Sequence, residues 1–556
     1  MTLYKFEKSQ KSRKQGGRVI TGYNQQQPEG EIMSLQPFDH QEIPPETAEL
    51  GRKLLDEHHP YRLIGDRLDD LLQDEDFRAL YSLIGGPALS PVLLALVLVF
   101  QMLEKLPDRL AAEAVRLRID WKYALHLPLD YLGFHFTNLS HFRQRLLEHQ
   151  AEYLVFDRLL QKLVVLGLVR QHGKQRTDST HVLGLIAKLS RLELIWESLR
   201  LALRVLQQQD ETWVSQVIPE AFLEKYLPKR SDYQLSDAQV AHQLHQAGAD
   251  GWWLLQQLAL DLAKWADLSE VVTLQTVWDQ QFEGTQQGDY LGPRSKLKAH
   301  DLIQSPHEPE ARYRQKRGQP WKGYQAQVSE TAEAKGDPNF ITDIAATDAQ
   351  TDDKEALPDI QQRLAGRDLT PSQQIVDQNY LSGTLLAHSS QQDIELMGPI
   401  LAQPGPEGFR LADFQVNLDH LQAICPAGKA SVKVTCCQRP DGSQEYQFFF
   451  GQQCAACSSR PQCTSAKQGR TLTYHEHHPY VVKRRAEMET ERFHQTMKRR
   501  PPIEGTISQL VRQGLRRARY RGLIKVNLQV IFTATAVNLK RLCRVLASGR
   551  KPSWAT

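Results

Sequence analysis

What this chain lacks narrows its reading first. No apolar run among its 556 residues is long enough to cross a bilayer. The longest, PVLLALVLVF (Pro91 to Phe100), passes straight into the polar QMLEK, whereas a spanning helix needs about 20 apolar residues. It reads instead as a buried helix, with Ser90 as N-cap and Pro91 in the first helical position. The N-terminus lacks the apolar core of a signal peptide, so export is not expected. In its place stands MTLYKFEKSQKSRKQGGR, a basic polar arm expected to be flexible, and Met33 offers an alternative start. Internal repeats are absent. Cysteine is scarce at seven residues, and without an export signal these are not expected to pair as disulfides. Membrane-spanning and secreted disulfide-scaffold classes are thereby set aside.

Acidic residues are missing from one region in particular. From Val481 to Thr556, eighteen Lys and Arg face four Glu and no Asp, a local charge of +14. The whole chain carries only +3, so the remainder holds about −11. A bias so one-sided points to a polyanion, with nucleic acid ahead of a merely solvated helix face. Elsewhere the balance is that of a globular protein, 41% hydrophobic and 24% charged. The length suits about three or four domains of ~150 residues, with ample core.

Residues 1–44 form the arm. Residues 45–170 read as a helical domain fit to bind DNA or dimerise, with apolar residues three and four apart in YRLIGDRLDDLLQDEDFRALYSLIG and NLSHFRQRLLEHQAEYLVFDRLLQKLVVLGL. Asn138 and Ser140 supply a capping signal for the second run. Another helical stretch, 185–282, contains LSRLELIWESLRLALRVL and DGWWLLQQLALDLAKWADL. Trp252 and Trp253 there suit core packing better than base stacking.

From Ser305 short strands take over. WKGYQAQVSETA and NFITDIAATDA alternate like the arms of a hairpin. DKEALPDIQQRLA suits a short helix despite its proline, and QQIVDQNYLSG and DIELMGPIL suit buried strands. With a strand at 174–182, the order is three strands, a helix and two strands, an α/β fold with a mixed sheet. That sheet spans 171–184 and 283–402, with the helical stretch inserted after its first strand. Residues 403–480 are cysteine-rich, and 481–556 supply basic helices that complete the core.

KQRTDSTHV (Lys174 to Val182) puts Asp178 in the middle of a β-branched strand. A carboxylate there is costly to bury unless paired or bound to metal, although a wet strand face also accommodates it. Asp377 repeats the oddity by closing the apolar QQIV, at the strand end where open α/β sheets bind ligands. A strand-terminal Asp also serves as a turn former. Glu504 follows Pro501 and Pro502 into a helix striped by Ile503, Ile507 and Leu510. The helix dipole welcomes it. Yet it is the only acid between Arg492 and the C-terminus, set among Arg499, Arg500, Arg512, Arg516, Arg517, Arg519 and Arg521. On a phosphate-binding surface it repels DNA unless a cation lies between them.

TDSTHV, VDQNYLSG and RPPIEGTISQLVRQGLRRARYRGL together resemble the catalytic blocks of bacterial insertion-sequence transposases of the DDE class. FTNLSHFRQRL is similar to the end of their InsH-type N-terminal domain, and SPHEPEARYRQKRGQPWKGYQAQV to the strand leading into their sheet. The resemblance covers about Pro45 to Leu546. Asn379 departs from it where a glycine usually precedes the tyrosine, and Met497 where related families have a tyrosine. The resemblance implies an RNase H-like core with Asp178 on the first strand, Asp377 ending the fourth and Glu504 on a later helix. It implies cleavage at transposon ends and transfer of the 3′-OH into target DNA.

The three carboxylates would hold two Mg²⁺ (or Mn²⁺), since phosphodiester displacement suits two ions about 3.5–4 Å apart and Mg²⁺ prefers oxygen. His181 reads as packed or solvated. The seven arginines would bind double-stranded DNA, both transposon ends and target. A homodimer or higher oligomer in a synaptic complex is expected, with no membrane partner, in the bacterial cytoplasm at the nucleoid. A nuclease that cuts and never joins, and a DNA-binding protein with a vestigial triad, are the alternatives.

Cys454, Cys457 and Cys463 are closely spaced, and Cys425 lies 29 residues before Cys454. Four thiolates from two loops can close a tetrahedral Zn²⁺ site; buried free thiols are the plainer reading. Cys436 and Cys437 are substitute ligands, Cys543 reads as core, and His475 to His478 as a surface cluster. The resembling transposases often carry such cysteines between the second aspartate and the glutamate.

Overall fold

The computed structural model describes residues 35, 42–67, 70–82, 88–185, 189–229, 235–284, 289–297, 302–316, 318–334, 336–401 and 408–549. The basic N-terminal arm lies almost wholly outside them.

Helices come first: α1 (Pro45–Leu54), α2 (Pro60–Arg67), α3 (Pro91–Glu104), α4 (Asp108–Leu117), α5 (Ile119–Ala124), α6 (Thr137–Glu148) and α7 (Leu154–Val165). α3 is the long apolar run, and the Ser90 hydroxyl caps it by accepting from the Leu93 N–H. Both periodic runs are broken, the first into α2 and a 3-10 helix (Asp74–Leu80), the second into α6 and α7. Asn138 and Ser140 do not cap. They lie inside α6, and their side chains bond back to the His135 and Thr137 carbonyls at 3.0 and 2.7 Å.

β1 (Lys174–Leu183) follows, then α8 (Arg191–Gln209), α9 (Glu211–Val217), α10 (Glu220–Tyr226), α11 (Asp237–Ala259), α12 (Leu262–Trp265) and α13 (Ser269–Gln281). These helices bury a core of their own around Leu199, Leu203, Leu254 and Trp265. Trp252 stacks on Trp278 at 4.6 Å and Trp253 lies 5.3 Å from Phe222, so both tryptophans pack within this unit.

A ribbon of β2 (Phe282–Gly284) and β3 (Tyr290–Pro293) leads to β4 (Arg312–Lys316), β5 (Gln319–Thr331), β6 (Ile341–Asp348), α14 (Asp353–Ala365), β7 (Gln373–Ile375), α15 (Gly383–Gln391) and β8 (Glu395–Met397). The mixed sheet runs β4-β5-β1-β7-β8, with β6 also beside β5. β5 is antiparallel to β1 and β6, whereas β7 runs parallel to both β1 and β8. β1 and β5 come together tightly at Gly323, where an added Cβ would lie 2.3 Å from the Val182 carbonyl oxygen. The helical N-terminal region followed by a mixed α/β sheet is the expected order.

The cysteine-rich stretch forms β9 (Gln415–Asn417), β10 (Gln422–Ile424), β11 (Lys433–Gln438), β12 (Gln444–Phe449), α16 (Arg460–Cys463) and β13 (Thr471–His475) around Phe414, Phe448, Phe450 and Leu472. Four helices close the described chain: α17 (His478–Met488), α18 (Glu491–Met497), α19 (Ile503–Leu510) and α20 (Leu523–Ser548). Gly514, at φ 102°, breaks the helical run after α19. The next residues join the end of β1: the Leu183 N–H donates to the Arg516 carbonyl at 2.9 Å, and the Ala518 N–H to the Leu183 carbonyl at 2.8 Å.

α20 then packs on β6, α2, α3 and α7, so the first helices, the sheet and the last helix share one hydrophobic core. A buried clamp crosses it. Asp343 of β6 accepts from Arg363 and Arg367, each at 2.7 Å, and Arg367 also reaches Asp157 of α7 at 2.6 Å. Among the described residues no helix is long and apolar enough to cross a membrane.

Candidate active site

Asp178 sits near the middle of β1, paired in register with Val328 of β5. Its side chain is 13% exposed, and one carboxylate oxygen accepts from Arg500 Nη2 at 2.8 Å. Asp377 follows β7 and caps a short 3-10 turn (Gln378–Tyr380), accepting from the Asn379 N–H at 2.8 Å. The Asn379 amide adds a second bond to Asp377 at 3.3 Å. Asn379 is not among the residues with positive φ, so this turn does not require a glycine there. Asp377 lies 3.7 Å from the same Arg500 nitrogen. One guanidinium therefore spans the first two carboxylates.

Glu504 is placed differently. It lies in the first turn of α19 with its side chain exposed, while α19 packs on β1. Among the described residues no three His, Cys, Asp or Glu are grouped closely enough to hold a metal ion. The structure thus joins Asp178 to Asp377 and leaves Glu504 outside their group.

What holds this arrangement is a buried ion cluster that the motif blocks do not mark. Glu330 of β5 is fully buried and pairs with Arg176 at 2.6 Å and with Arg541 of α20 at 3.3 Å. The Thr506 hydroxyl of α19 also donates to it, and Arg541 donates to Thr506 at 2.6 Å and to Gln509 at 3.1 Å. Arg176 lies two residues before Asp178, hence on the same face of β1. It donates to the carbonyl of Arg499 at 2.8 Å and so fixes the backbone next to Arg500. Glu330 had a sequence signal, a carboxylate inside an alternating strand, the same one Asp178 gave.

Tyr380 is fully buried beneath the pair and donates to Gln327. Burial, then the charges of Asp353, Asp178 and Asp377, push its hydroxyl well above its ordinary pKa, so it stays a protonated donor. The Met497 side chain packs beside Phe493, Ile375 and Met397. His181 stacks loosely against Trp321 at 5.3 Å.

The arginines divide by task. Arg516 donates to the His181 carbonyl at 2.6 Å, and Arg519 to the Leu106 carbonyl, so both act as struts. Arg512, Arg517 and Arg521 are exposed, while Arg499 and Arg500 are half-buried.

Cys425, Cys454, Cys457 and Cys463 line one cavity of about 20 Å³. The Lys429 and Arg470 N–H groups donate to Cys425 Sγ and Cys454 Sγ at 3.4 and 3.5 Å. Burial raises the Cys463 thiol pKa, and the three neighbouring cysteines raise it further. All seven cysteines are free. Cys436 and Cys437 are exposed on β11 and do not line this cavity, so they are not its substitute ligands. Burial pushes the Cys543 thiol up to about 12. Of the histidines, His475 and His477 are half-exposed with their rings 5.4 Å apart, and His475 contacts the Ser443 hydroxyl at 2.9 Å, whereas His478 is buried and so does not belong to a surface cluster.

Residues 424–543 match the Transposase DDE domain, and residues 49–145 match the Transposase domain (DUF772). The two matches together support an insertion-sequence DDE transposase. The first match takes in the four cavity-lining cysteines and Glu504; Asp178 and Asp377 lie outside both stretches. No curated protein and no solved structure matches it. Members of the DDE family use divalent metal ions.

Proposed function

We propose that the transposase cleaves DNA at the ends of a mobile element and transfers the freed 3′-OH into target DNA. In this reading the sheet is an RNase H-like core, and Asp178, Asp377 and Glu504 are its metal-holding carboxylates. One observation carries it: Asp178 and Asp377, far apart in sequence, converge on a single cationic nitrogen. Two carboxylates around one cation position are a donor set that suits Mg²⁺ or Mn²⁺.

When bound, two such ions would activate the attacking oxygen and stabilise the leaving one. The chain's own residues set the frame. β1 holds Asp178 against β5, two residues beyond its last pairing with β7, the Asn379 turn orients Asp377, and α19, which carries Glu504, packs on β1. Arg499, Arg500, Arg512, Arg517 and Arg521 offer phosphate contacts, within a C-terminal region of +14. Holding transposon ends and target together favours a homodimer or larger assembly. A duplex carrying the element's own terminus should be nicked in Mg²⁺ to leave a 3′-OH. Failure to cleave such DNA, bound specifically, in both Mg²⁺ and Mn²⁺ overturns the reading.

We also assign a structural Zn²⁺ to the four cysteines that line one cavity; as placed they are not grouped closely enough to hold an ion, and they would draw together on binding it. Their cavity has room for about one small occupant, and a bound zinc would itself displace the thiol protons. Purified protein should then contain about one zinc per chain. Cys457→Ser should lose the metal and lower the melting temperature of the 408–475 region, read by elemental analysis and calorimetry. Zinc-free protein with full activity contradicts this site.

A further inference from the structure

We propose that Arg500 is the resident counter-cation of the Asp178–Asp377 pair and competes with divalent metal for it. The inference rests on reading these aspartates as the metal site. Two half-buried carboxylates facing one another repel, and a low-dielectric setting strengthens that repulsion. Arg500 Nη2 relieves it, at 2.8 Å from Asp178 and 3.7 Å from Asp377. A metal ion shared by these carboxylates needs the same oxygens, so it and the guanidinium exclude each other.

Arg500 is also poorly tied down by anything else. Its Nε is buried without a hydrogen-bond partner among the described residues. Its backbone, in contrast, is held: Arg176 grips the preceding carbonyl, and the Arg500 N–H donates to the Met497 carbonyl at 3.0 Å. The side chain can leave while its anchor stays. A displaced guanidinium needs another anion, and a phosphodiester offers one in matching bidentate geometry. DNA binding thereby frees the carboxylates for metal, and an idle transposase stays unloaded.

The test is Mn²⁺ binding to DNA-free protein, followed by electron paramagnetic resonance of the free ion. A charge-assisted hydrogen bond is worth enough to shift an affinity by about ten- to a hundredfold. Arg500→Gln should tighten Mn²⁺ binding by that order, Arg500→Lys by much less, and Arg499→Gln not at all. Mn²⁺ should also raise the melting temperature of Arg500→Gln more than that of the wild type, which reports on a folded variant independently of activity. Added terminal duplex, corrected for duplex alone, should tighten Mn²⁺ binding in the wild type and little in Arg500→Gln. Equal affinity in wild type and Arg500→Gln, with binding lost in Asp178→Asn, overturns the competition and leaves the site standing. Unchanged binding in Asp178→Asn overturns the site itself.

Discussion

Asp178→Asn, Asp377→Asn and Glu504→Gln should each lower Mg²⁺-dependent cleavage of terminal DNA by about a thousandfold or more. The size follows from what a bound metal supplies: several kcal/mol of charge stabilisation, at about 1.4 kcal/mol for each tenfold in rate. Each replacement keeps volume and removes one ligand charge. End binding should persist, because the arginines that offer phosphate contacts are untouched. Glu504→Gln is the most informative of the three. Its side chain is exposed in the first turn of α19, so the folded state should tolerate the change and any loss is chemical. Asp178→Asn and Asp377→Asn also disturb the Arg500 contact, so their effect needs thermal melting beside the cleavage assay. Normal cleavage by any one variant removes that residue from the site.

Glu330→Gln should destabilise the protein by about 3–5 kcal/mol, the range seen when one partner of a buried ion pair is removed. Glu330 is fully buried and compensates two guanidiniums, Arg176 and Arg541. Glutamine retains the shape and one acceptor but leaves both positive charges without their anion. The loss should be local first. Thr506 and Gln509 connect α19 to the same cluster, so amide exchange at 503–510 should quicken before the rest of the sheet opens. A variant as stable as the wild type, with α19 equally protected, contradicts the role given to this cluster.

Much of this fold is written in local pattern. The strand bearing Asp178, the hairpin of β5 and β6 and helix α14 follow from alternation and helical spacing, and each forms close to where its residues place it. Ser90 and Pro91 start α3 by their own chemistry. The site was less accessible, because one local signal has two physical meanings. Asp178, Glu330 and Asp343 are all carboxylates inside strands. Glu330 and Asp343 are fully buried and each is neutralised by two arginines, from β1 and α20 for Glu330 and from α14 and the residues just after it for Asp343. Asp178 keeps 13% exposure and meets one arginine. Only the fold separates a structural acid from one open to a ligand.

The same limit governs the arginines. Nothing adjacent in sequence marks Arg516 and Arg519 as struts, since their acceptors, the carbonyls of His181 and Leu106, lie hundreds of residues away. The two helical runs were overextended because a periodic stripe does not reveal where the backbone turns within it. Asn138 and Ser140 have capping chemistry but bond backwards along α6.

Cleavage alone does not separate a transposase from a nuclease, since the same carboxylates serve both. The difference lies in what is held after the first cut. A transposase keeps the cleaved end, with its 3′-OH poised, while target DNA enters as the new electrophile. The most direct measurement is therefore joining: pre-cleaved terminal DNA, Mg²⁺ and a plasmid, with the covalent product resolved on a denaturing gel. Ends with a 3′-OH should become joined to the plasmid, and 3′-dideoxy ends should bind equally well and fail to join. Pre-cleaved ends that bind but never join, in Mg²⁺ or Mn²⁺, while uncut ends are cleaved, would contradict the account and leave a nuclease.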